Sequence, residues 1–510
     1  MRRGHCSRAF PSIHYTPGTL RRGGAWGAIF TMIALNLLYK HYDQHKLHHN
    51  EMWLMNDCPN YKIKKIIMDK TTSKMKLLFT AILFSTATLH AQTTQKVKQL
   101  AYADSSRLVE IFKDIHQNPE LGFMETRTSG IIATALKALG YETITGIGKT
   151  GVVGILKNGN GPIVMYRADM DCNPVKETTG LPYASNKTMK KEDGAEVPVM
   201  HACGHDAHVT WLLGIAKIMV TLKDEWKGTL VIVGQPAEEP LQGAQAMIDD
   251  KMYDKGVPVP DYLFGMHTWP IPVGYIYNVV GERMAGSDQL DITFYGIGGH
   301  GAHPETTKDP IVMGSTAVMQ YQSIISRNIA AQDAAVLTVG AFLAGFVNNV
   351  IPPTALLKLN LRWFNDKDRN ILMDGIKRIN EGIAIANNLP KELYPTIKMK
   401  GMVYPLVNNA AMVNKINASL ATVIAPGKII KDVPAEMGSE DFPQLVSGIK
   451  KASYDFVMIG TANIEVAAIA SAEGKKYPFF NHNGNYQVDL SAIPLGTQIG
   501  ATALLEMFKK

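Results

Sequence analysis

Hydrophobic residues recur along this chain at two spacings, one typical of amphipathic helices and the other of short buried strands. Residues 108–117 and 128–139 predict helices, and Gly140 follows the second, where a glycine commonly ends a helix. Short runs rich in β-branched residues predict four buried strands, with helical segments between them. The strands are residues 152–156, 163–166, 229–233 and 262–266, and the helices between them are residues 208–221 and 244–250. This order predicts an α/β fold with a mostly parallel sheet.

The pattern changes over about residues 288–400. A strand (289–295), a helix (310–327), two strands (335–342 and 355–363), a long helix (367–386) and a last strand (396–402) follow one another. This β-α-β-β-α-β order is that of a ferredoxin-like unit. We therefore predict a split catalytic domain, residues 92–287 and 403–510, with a small ferredoxin-like domain, residues 288–402, inserted in it. The chain is expected to end in a helix near residues 495–508.

Residues 75–91 have the pattern of a secretory signal peptide. Met75 and Lys76 form a short basic start, an apolar run follows, and small residues lead to Ala91, where we place the cleavage. The signal predicts export, with the periplasm as the expected destination. Because it lies in mid-chain, we predict that residues 1–74 are a spurious or disordered N-terminal extension. The alternative is a genuine tail with a weak anchor in residues 25–39, an apolar run that is short for a membrane span.

Charge and cysteine usage narrow the class of protein. The net charge of +7 comes from residues 1–74, and the rest of the chain is close to neutral, so a nucleic-acid partner has no support. Cys172 and Cys203 lie in the expected mature chain, and two cysteines are too few for a disulfide framework. A disulfide between these two residues is an alternative that would remove a candidate metal ligand.

A cluster of metal-binding residue types begins at Cys203. Cys203 and His205 lie just before a predicted helix, and Glu238 and Glu239 follow a buried strand. Thiolate, imidazole and carboxylate are the ligands that zinc and similar divalent metals prefer. Adjacent carboxylates point in different directions, so one can bind metal while the other stays free as a general base, as a metal-dependent hydrolase requires. A structural zinc site is the alternative, but its usual pairs of cysteines are missing.

Further polar residues stand where apolar strands end. Asp169 and Asp171 fall on one face of an extended segment, from which a carboxylate can orient a metal-bound imidazole. His267 and His482 each follow an apolar strand. Two glycine-rich runs, residues 146–151 and 296–301, match a dinucleotide-binding spacing, but neither has the strand–turn–helix setting that such binding requires, so we interpret both as turns.

Taken in order, these motifs resemble the amidohydrolase branch of the aminoacylase/carboxypeptidase metallopeptidase family, which includes hippurate hydrolases, N-acyl-amino-acid hydrolases and plant auxin-conjugate hydrolases. The resemblance covers about residues 100–510. It rests on IHQNPEL (115–121), RADMD (167–171), MHACGHD (200–206), QPAEE (235–239), GGHG (298–301), NVIP (349–352) and GSEDF (438–442). The chain departs from the family after Glu239, where Pro240-Leu241-Gln242-Gly243 replaces a glycine-rich run, so the substrate is the least constrained property.

The resemblance implies a role for each candidate residue. The implied metal ligands are Cys203, His205, Glu239, His267 and His482, with Cys203 bridging two divalent ions, manganese or zinc. Glu238 is the implied general base, and Asp171 is the implied carboxylate that supports the site. The implied substrate-binding residues are His300, Asn349 and Arg362 of the small domain, with His300 often acting across a dimer. The small domain itself is implied to serve as a lid and as the dimerisation surface.

The expected protein is therefore an exported metal-dependent amidohydrolase that releases an amino acid from an N-acyl or N-aroyl conjugate. Its expected partners are that small molecule and a second copy of the chain, with no nucleic acid and no stable membrane anchor. A metallo-dipeptidase or carboxypeptidase is the alternative enzyme. A metal-dependent binding protein that kept the fold is the alternative without catalysis.

Overall fold

The computed structural model describes residues 92–509. The expected extension and signal peptide, residues 1–91, lie outside the described residues. The described chain begins in a helix over residues 92–103. None of the helices in residues 92–509 combines the length and the apolar character that a membrane span requires.

Nine further α-helices follow within the described range. They are α1 (Ser105–Gln117), α2 (Thr126–Ala138), α3 (His205–Thr221), α4 (Gly243–Asp249), α5 (Pro310–Asn328), α6 (Asp366–Ala386), α7 (Ala410–Leu420), α8 (Ile464–Ala472) and α9 (Ala492–Met507). Every helix that the sequence predicted is present, and its ends differ from the prediction by at most three residues. The helical period of the apolar positions was therefore a sufficient signal for these elements.

The strands of the described range are numbered β1 to β18. They are β1 (Glu142–Ile147), β2 (Gly151–Asn158), β3 (Ile163–Asp169), β4 (Thr188–Lys190), β5 (Glu196–Pro198), β6 (Gly228–Gln235), β7 (Tyr262–Pro272), β8 (Ile276–Tyr277), β9 (Gly281–Met284), β10 (Gly286–Tyr295), β11 (Gly299–His300), β12 (Val336–Ala344), β13 (Val350–Ile351), β14 (Thr354–Trp363), β15 (Thr396–Val403), β16 (Leu406–Asn408), β17 (Ile429–Ile430) and β18 (Ser453–Ala462).

The large sheet has eight strands in the order β1-β2-β6-β3-β7-β18-β8-β17. Its four central strands, β6, β3, β7 and β18, run parallel to one another, while β1 and β2 pair antiparallel at one side. The predicted mostly parallel sheet is therefore confirmed. The carboxyl ends of its central strands meet at one edge, which is where ligands bind in open α/β sheets.

Side chains of the central strands alternate between two hydrophobic cores. Val164 and Tyr166 of β3 belong to the core that contains α1, α3 and α9. Met165, between them, belongs to a second core on the other face, together with Met247 and Phe442. A strand that is covered on both faces needs apolar residues at successive positions, which explains the continuous apolar runs of the sequence.

Helix α3 is buried along almost its whole length and packs closely against α9. Gly496 and Gly500 of α9 make this approach possible, because a Cβ atom at either position would overlap the Trp211 ring or the Ile215 side chain. The close contact holds α3 firmly in the core. The first turn of α3, which the core positions in this way, carries the candidate metal ligand His205.

The N-terminus of α3 differs from the prediction, which placed it at residue 208. The helix begins at His205, directly after Gly204, whose φ of +80° lies in the left-handed region. A Cβ atom at Gly204 would come within 2.5 Å of Thr268 Oγ1, so glycine is required here for conformation and for space. The first turn lacks the apolar period because it carries three buried polar side chains, those of His205, Asp206 and His208.

The inserted segment has the predicted β-α-β-β-α-β order. Strands β10, β12, β14 and β15 form an antiparallel sheet in the order β12-β14-β10-β15. Helices α5 and α6 cover this sheet over a separate core that includes Phe294, Tyr321, Leu357 and Trp363. The other two cores combine residues from before and after this segment, an arrangement consistent with an inserted domain. The boundaries at residues 288 and 402 stay a prediction.

Candidate metal centre

Five side chains from distant parts of the chain meet at the edge where the central strands end. Cys203 and His205 stand at the N-terminus of α3, Glu239 follows β6, His267 lies in β7, and His482 lies in the loop before α9. Their ligand atoms form overlapping groups, in each of which the atoms lie within 4.8 Å of one another. Three of these groups are Cys203 with His205 and His267, Cys203 with Glu239 and His482, and His205 with Glu238 and Glu239, and a fourth joins His205 with Asp169 and His208. The structure thus brings together all five residues that the resemblance implies as ligands, and Cys203 belongs to two groups.

Hydrogen bonds show which histidine nitrogens are available to a metal. His267 Nδ1 donates to the carbonyl oxygen of Thr268 at 2.6 Å. This bond leaves His267 Nε2 with a free lone pair, 3.4 Å from Cys203 Sγ. His205 Nε2 is buried without a hydrogen-bond partner. Since buried polar atoms without partners are costly, His205 fits a ligand that the chain itself does not supply.

The charges around His205 also favour a bound cation. His205 Nε2 lies 3.8 Å from Glu238 Oε2 and 3.8 Å from Glu239 Oε1, and the latter oxygen is itself without a hydrogen-bond partner. Burial lowers the pKa of His205, but the charge of Asp169 and the carboxylate of Asp171 outweigh burial and raise it well above its ordinary value. Burial raises the pKa of Glu239 to about 7. The donor set and this excess of negative charge together fit a divalent metal.

Cys203 is a buried thiol that needs such a cation to become a thiolate. Both Cys203 and Cys172 are free, so the alternative disulfide between them is not formed. Burial raises the pKa of Cys203 to about 12, and Asn481 Nδ2 donates to its sulfur at 3.3 Å. A coordinating metal is the usual means by which a buried cysteine is held deprotonated.

His208 stands next to the candidate ligands but is not free to join them. Its Nδ1 donates to Asp169 Oδ1 at 2.5 Å, and its Nε2 accepts the N–H of Thr268 at 2.8 Å. The ring stacks between those of His205 and Trp211, with centroid distances of 5.2 and 5.4 Å. Because both nitrogens are already used, His208 supports the ring of His205 instead of binding metal.

The loop after β6 holds Glu238 and Glu239 in a strained backbone conformation. Ala237 has a φ of +45°, a region that costs a non-glycine residue about 1–3 kcal/mol. Three successive N–H groups donate to buried carboxylates: Ala237 to Glu125 Oε1 at 2.7 Å, and Glu238 and Glu239 to the two oxygens of Asp171 at 3.1 and 3.0 Å. A hydrogen bond contributes about 0.5–1.5 kcal/mol, and more when its partner is charged, so the three bonds together offset the strain.

Asp171 contacts both the loop that carries Glu238 and Glu239 and the ring of His205. While its oxygens accept the N–H groups of Glu238 and Glu239, its Oδ1 also lies 3.3 Å from His205 Nδ1. Asp169 Oδ2 approaches the other ring nitrogen, His205 Nε2, at 3.7 Å. The two carboxylates thus reach the same imidazole, as their spacing at the end of β3 predicts.

Glu238 is buried among other acidic groups. Its carboxylate lies in one group with those of Glu440 and Asp441, within 4.8 Å. Burial, followed by the charges of Glu440 and Glu239, raises the pKa of Glu238 well above its ordinary value. A carboxylate whose pKa is raised above its ordinary value takes up a proton more readily, as proton transfer requires.

A buried arginine compensates part of this acidic charge. Arg167 Nη1 donates to Asp169 Oδ2 at 2.7 Å, and Nη2 donates to Glu440 Oε1 at 2.9 Å and Asp441 Oδ1 at 3.1 Å. Arg167 Nε donates to Gln235 Oε1 at 2.8 Å. All of these side chains are buried. One guanidinium therefore ties β3, β6 and the segment at residues 440–441 together beneath the candidate site. Sequence reasoning gave it no role.

Two of the implied substrate-binding residues, His300 and Asn349, lie on the small domain and do not belong to the metal cluster. Both are exposed. They are neighbours, because β11 pairs with β13 and the N–H of Gly301 donates to the carbonyl oxygen of Asn349 at 2.9 Å. They form a separate exposed group in the described chain.

Arg362, the third of these residues, reaches toward the cluster. Its Nη1 donates to the hydroxyl of Ser439, the residue before Glu440. Its Nε donates to Asn360 Oδ1 at 2.7 Å. Arg362 therefore links the small-domain sheet to the segment that packs against Glu238.

A buried histidine outside the cluster supports the first turn of α3. His116 Nδ1 donates to Asp206 Oδ2 at 2.6 Å, and its Nε2 donates to Glu177 Oε1 at 3.2 Å. Although burial opposes protonation, these two carboxylates raise the pKa of His116 to about 9. Asp206 is the neighbour of His205, so this contact fixes the helix end that carries a candidate ligand. The sequence motif contained His116, but nothing local indicated its partners.

We expect a His116→Gln variant to lose stability in a pH-dependent way. The folded pKa of about 9 lies above the unfolded value of about 6.5. The protonated ring therefore contributes stability that is complete below about pH 6.5 and is lost as the pH rises through about 9. The expected loss is about 3 kcal/mol at the acidic end and shrinks toward the alkaline end.

Urea unfolding of the wild type and of His116→Gln at about pH 6 and about pH 9.5 measures this difference. His303→Gln is the control, because His303 is exposed and a surface substitution of this kind is expected to cost under about 0.5 kcal/mol. An equal loss at both pH values would contradict the ion-pair interpretation.

Comparison with known proteins identifies the family. The model of Peptidase family M20/M25/M40 matches residues 165–504, a range that contains all five candidate ligands. The hippurate hydrolase of Campylobacter jejuni subsp. jejuni is 40% identical over 351 residues, which are 68% of this chain and 87% of that protein. The IAA-amino acid hydrolase ILR1-like 2 of Arabidopsis thaliana is 31% identical over 441 residues, 85% of this chain and 94% of that protein.

A solved structure gives the same result. The Bacillus subtilis YXEP protein, described as a dinuclear metal binding peptidase from the M20 family, superposes with a TM-score of 0.63 at 27% identity. The match covers 80% of this chain and 99% of that one. The fold and the gathered side chains agree with this relationship. The chain therefore belongs to peptidase family M20/M25/M40, in its branch of metal-dependent amidohydrolases.

Proposed function

We propose that the protein hydrolyses the amide bond of N-acyl or N-aroyl amino acids and releases a carboxylic acid and an amino acid. The observation that carries this proposal is a set of metal-binding side chains beside the buried carboxylate of Glu238. In this set Cys203, His205 and His267 are buried, Glu239 is partly buried and His482 is exposed. The names of two relatives, a hippurate hydrolase and an IAA-amino acid hydrolase, support an amino acid conjugate as the substrate.

We propose two divalent metal ions per chain, manganese or zinc, held by the five candidate ligands. The carboxylates that crowd this region are those of Asp169, Asp171, Glu238, Glu239, Glu440 and Asp441, with Arg167 as their cationic partner. One guanidinium leaves much of this negative charge uncompensated, and two divalent ions would offset it. When bound, such ions polarise a carbonyl oxygen and lower the pKa of a water molecule.

In this proposal Glu238 acts first as a general base and then as a general acid. It accepts the proton of the attacking water as the water oxygen bonds to the amide carbon. It returns that proton to the amine nitrogen as the C–N bond breaks. Asp171 accepts the N–H of Glu238 and so keeps the base in position throughout both transfers.

Arg362, His300 and Asn349 are the proposed substrate-binding residues. Arg362 forms no ion pair with an acidic residue within residues 92–509, and its pKa is lowered by burial. A guanidinium in this state is suited to bind the carboxylate of the amino acid product. His300 and Asn349 are exposed and outside the cluster, so we propose that they act on the site of a second copy of the chain.

A homodimer through the small domain supplies that second copy. Strand β12 lies at an edge of the small-domain sheet, and an edge strand presents unpaired N–H and C=O groups to another chain. Apolar side chains at and just after this strand are exposed; they include Leu343, Phe346, Val347 and Val350. Exposed apolar groups beside a free edge support an interface here.

A Leu343→Glu/Phe346→Glu double variant is therefore expected to sediment as a monomer, while the wild type sediments as a dimer. Ile469→Glu is the matched control, because Ile469 is an exposed apolar residue on α8, in another part of the chain. It should leave the dimer intact. A wild-type monomer in analytical ultracentrifugation would contradict the proposed assembly.

The proposed location is the periplasm, and it rests on the signal pattern of residues 75–91 alone. Cell fractionation of a tagged protein whose translation starts at Met75 tests it. Retention of the full-length product in the cytoplasm would contradict export.

Metal analysis paired with a substrate panel tests the function. Protein that starts at Gln92 is loaded with manganese or zinc, and amine release from N-acyl amino acids is measured before and after chelation. We expect about two ions per chain and release that disappears with the metal and returns on reloading. Release from dipeptides but not from N-acyl amino acids would favour the peptidase alternative. Bound metal without release from any conjugate or dipeptide would overturn the proposal.

A further inference from the structure

Residues 122–125, the segment just before α2, pack against the loop that carries Glu238 and Glu239. A Cβ atom at Gly122 would come within 3.1 Å of the Cα atom of Ala237 and 3.3 Å of Asp171 Oδ2. At these distances a glycine fits at position 122, but a side chain there would crowd the loop. At Gly122 the segment therefore approaches the loop with its backbone.

Glu125 is the polar side chain that this segment directs at the loop. It is fully buried, its Oε1 accepts the N–H of Ala237 at 2.7 Å, and its Oε2 accepts the hydroxyl of Thr150 at 2.5 Å. Both oxygens are thus occupied by neutral donors, and no ion pair of Glu125 occurs within residues 92–509. Burying an acidic side chain without a cationic partner lowers the stability of the fold. The hydrogen bonds of Glu125 therefore point to a specific role for this residue.

The hydrogen bond from Ala237 to Glu125 indicates what this role is. Ala237 is the residue with the left-handed φ of +45° in this loop, and it is itself fully buried. Removing Glu125 would leave this buried N–H group without its present partner, so the conformation and the hydrogen bond depend on each other. The chain direction set at Ala237 determines where the next two side chains, Glu238 and Glu239, begin.

We propose that Glu125 is a positioning residue for Glu238 and Glu239, which acts by holding the N–H of Ala237. Asp171 holds the next two N–H groups, so Glu125 and Asp171 clamp three successive residues of the loop between them. The two hydrogen bonds of the Glu125 side chain go to Ala237 and Thr150, neither of which is a candidate ligand. Its role in catalysis rests on the function proposed above, whereas its role in metal binding does not.

Kinetics and metal affinity of Glu125→Ala test this inference. We expect kcat to fall about 10²-fold with KM changed less than about threefold, because a small displacement of a catalytic group is enough for such a loss. Metal affinity should fall about tenfold or more, since supporting residues of metal ligands have effects of this size. Thr150→Val, which removes the other donor to Glu125, should shift both quantities in the same direction by a smaller factor.

Glu125→Gln is the conservative variant that separates positioning from charge. Its amide oxygen can still accept the N–H of Ala237, and its amide nitrogen can donate to Thr150. Burial raises the pKa of Glu125 to about 7, so a neutral side chain is a close mimic of the native one. We expect kcat and metal affinity within about fivefold of the wild type.

Glu120→Ala is the matched control for general destabilisation. Glu120 lies in the same segment and also accepts backbone N–H groups, those of Arg127 at 2.9 Å and Thr128 at 2.8 Å, but these belong to α2 and not to the catalytic loop. It should lower stability without changing kcat or metal affinity. Wild-type kcat and metal affinity in Glu125→Ala, or equal damage in Glu125→Gln and Glu125→Ala, would overturn the inference. If the wild type releases no amine, the proposed function fails, and the metal-affinity measurements still decide the role of Glu125.

Discussion

Replacing Glu238 with glutamine is expected to remove turnover and to leave the metal content unchanged. Glutamine has the shape of glutamate, and the backbone N–H of residue 238 still donates to Asp171 Oδ1, as it does at 3.1 Å in the wild type. The amide side chain cannot take a proton from water, and general base catalysis contributes about 10²–10⁴-fold. We therefore expect kcat to fall by about 10³-fold or more.

Glu239→Gln is the matched comparison, because the two residues are neighbours with different expected tasks. Glu239 Oε2 lies 3.2 Å from His482 Nε2, within one group of candidate ligands. This variant should lose metal and recover part of its activity when metal is added in excess. Glu238→Gln should keep its metal and show no such recovery. Steady-state kinetics together with metal analysis of both proteins distinguish the two effects.

Two results would contradict this division of roles. A wild-type kcat in Glu238→Gln would show that Glu238 does not take part in the proton transfer. Loss of metal in the same variant would instead identify Glu238 as a ligand. Its Oε2 lies 3.8 Å from His205 Nε2, close enough for both to bind one ion.

The spacing of apolar residues along the chain predicted most of the helices and strands, because each of these elements places apolar side chains against a hydrophobic core. Residues 289–295 alternate cleanly, and the structure has β10 there with one face on the small-domain core. The start of α3 was predicted three residues late for the opposite reason. His205 belongs to the candidate site and Asp206 is held by His116, so the order of residues here does not follow the apolar period of the helix. Such local rules fail first where function places polar residues inside the core.

The candidate ligands could be identified from sequence because they lie in short motifs, but the residues that support them could not. Glu125 and Ala237 are 112 positions apart, and Arg167 and Glu440 are 273 apart. No local pattern marks a buried carboxylate whose partner is a backbone N–H on a distant loop. Such pairings arise from the order of strands in the large sheet, which brings distant segments to the same edge.

Arg167→Met is expected to have the largest effect on stability of any single substitution considered for this protein. Arg167 donates to three buried carboxylates, those of Asp169, Glu440 and Asp441. Removing one partner of a buried ion pair typically costs about 3–5 kcal/mol, because it leaves buried charge uncompensated. A typical domain is stable by about 5–15 kcal/mol, so the variant should fold but unfold at much lower urea concentration.

The cost should also depend on pH. Without the guanidinium, the pKa values of the three carboxylates rise, since burial and mutual repulsion then act unopposed. Protonation at lower pH relieves the repulsion, so the loss of stability relative to the wild type should be smaller at about pH 5 than at about pH 8. Urea unfolding after chelation measures the loss without a contribution from altered metal binding.

Arg127→Met is the matched control, because it removes an arginine of the same size from a surface ion pair. Arg127 Nη2 lies 2.7 Å from Asp114 Oδ2, and both side chains are exposed. Exposed pairs of this kind contribute about 0–1 kcal/mol, so this variant should remain close to the wild type at both pH values. If the two substitutions cost the same, the buried carboxylates do not depend on Arg167 for their charge balance. The proposed need for cations at this edge of the sheet would then lose its electrostatic basis.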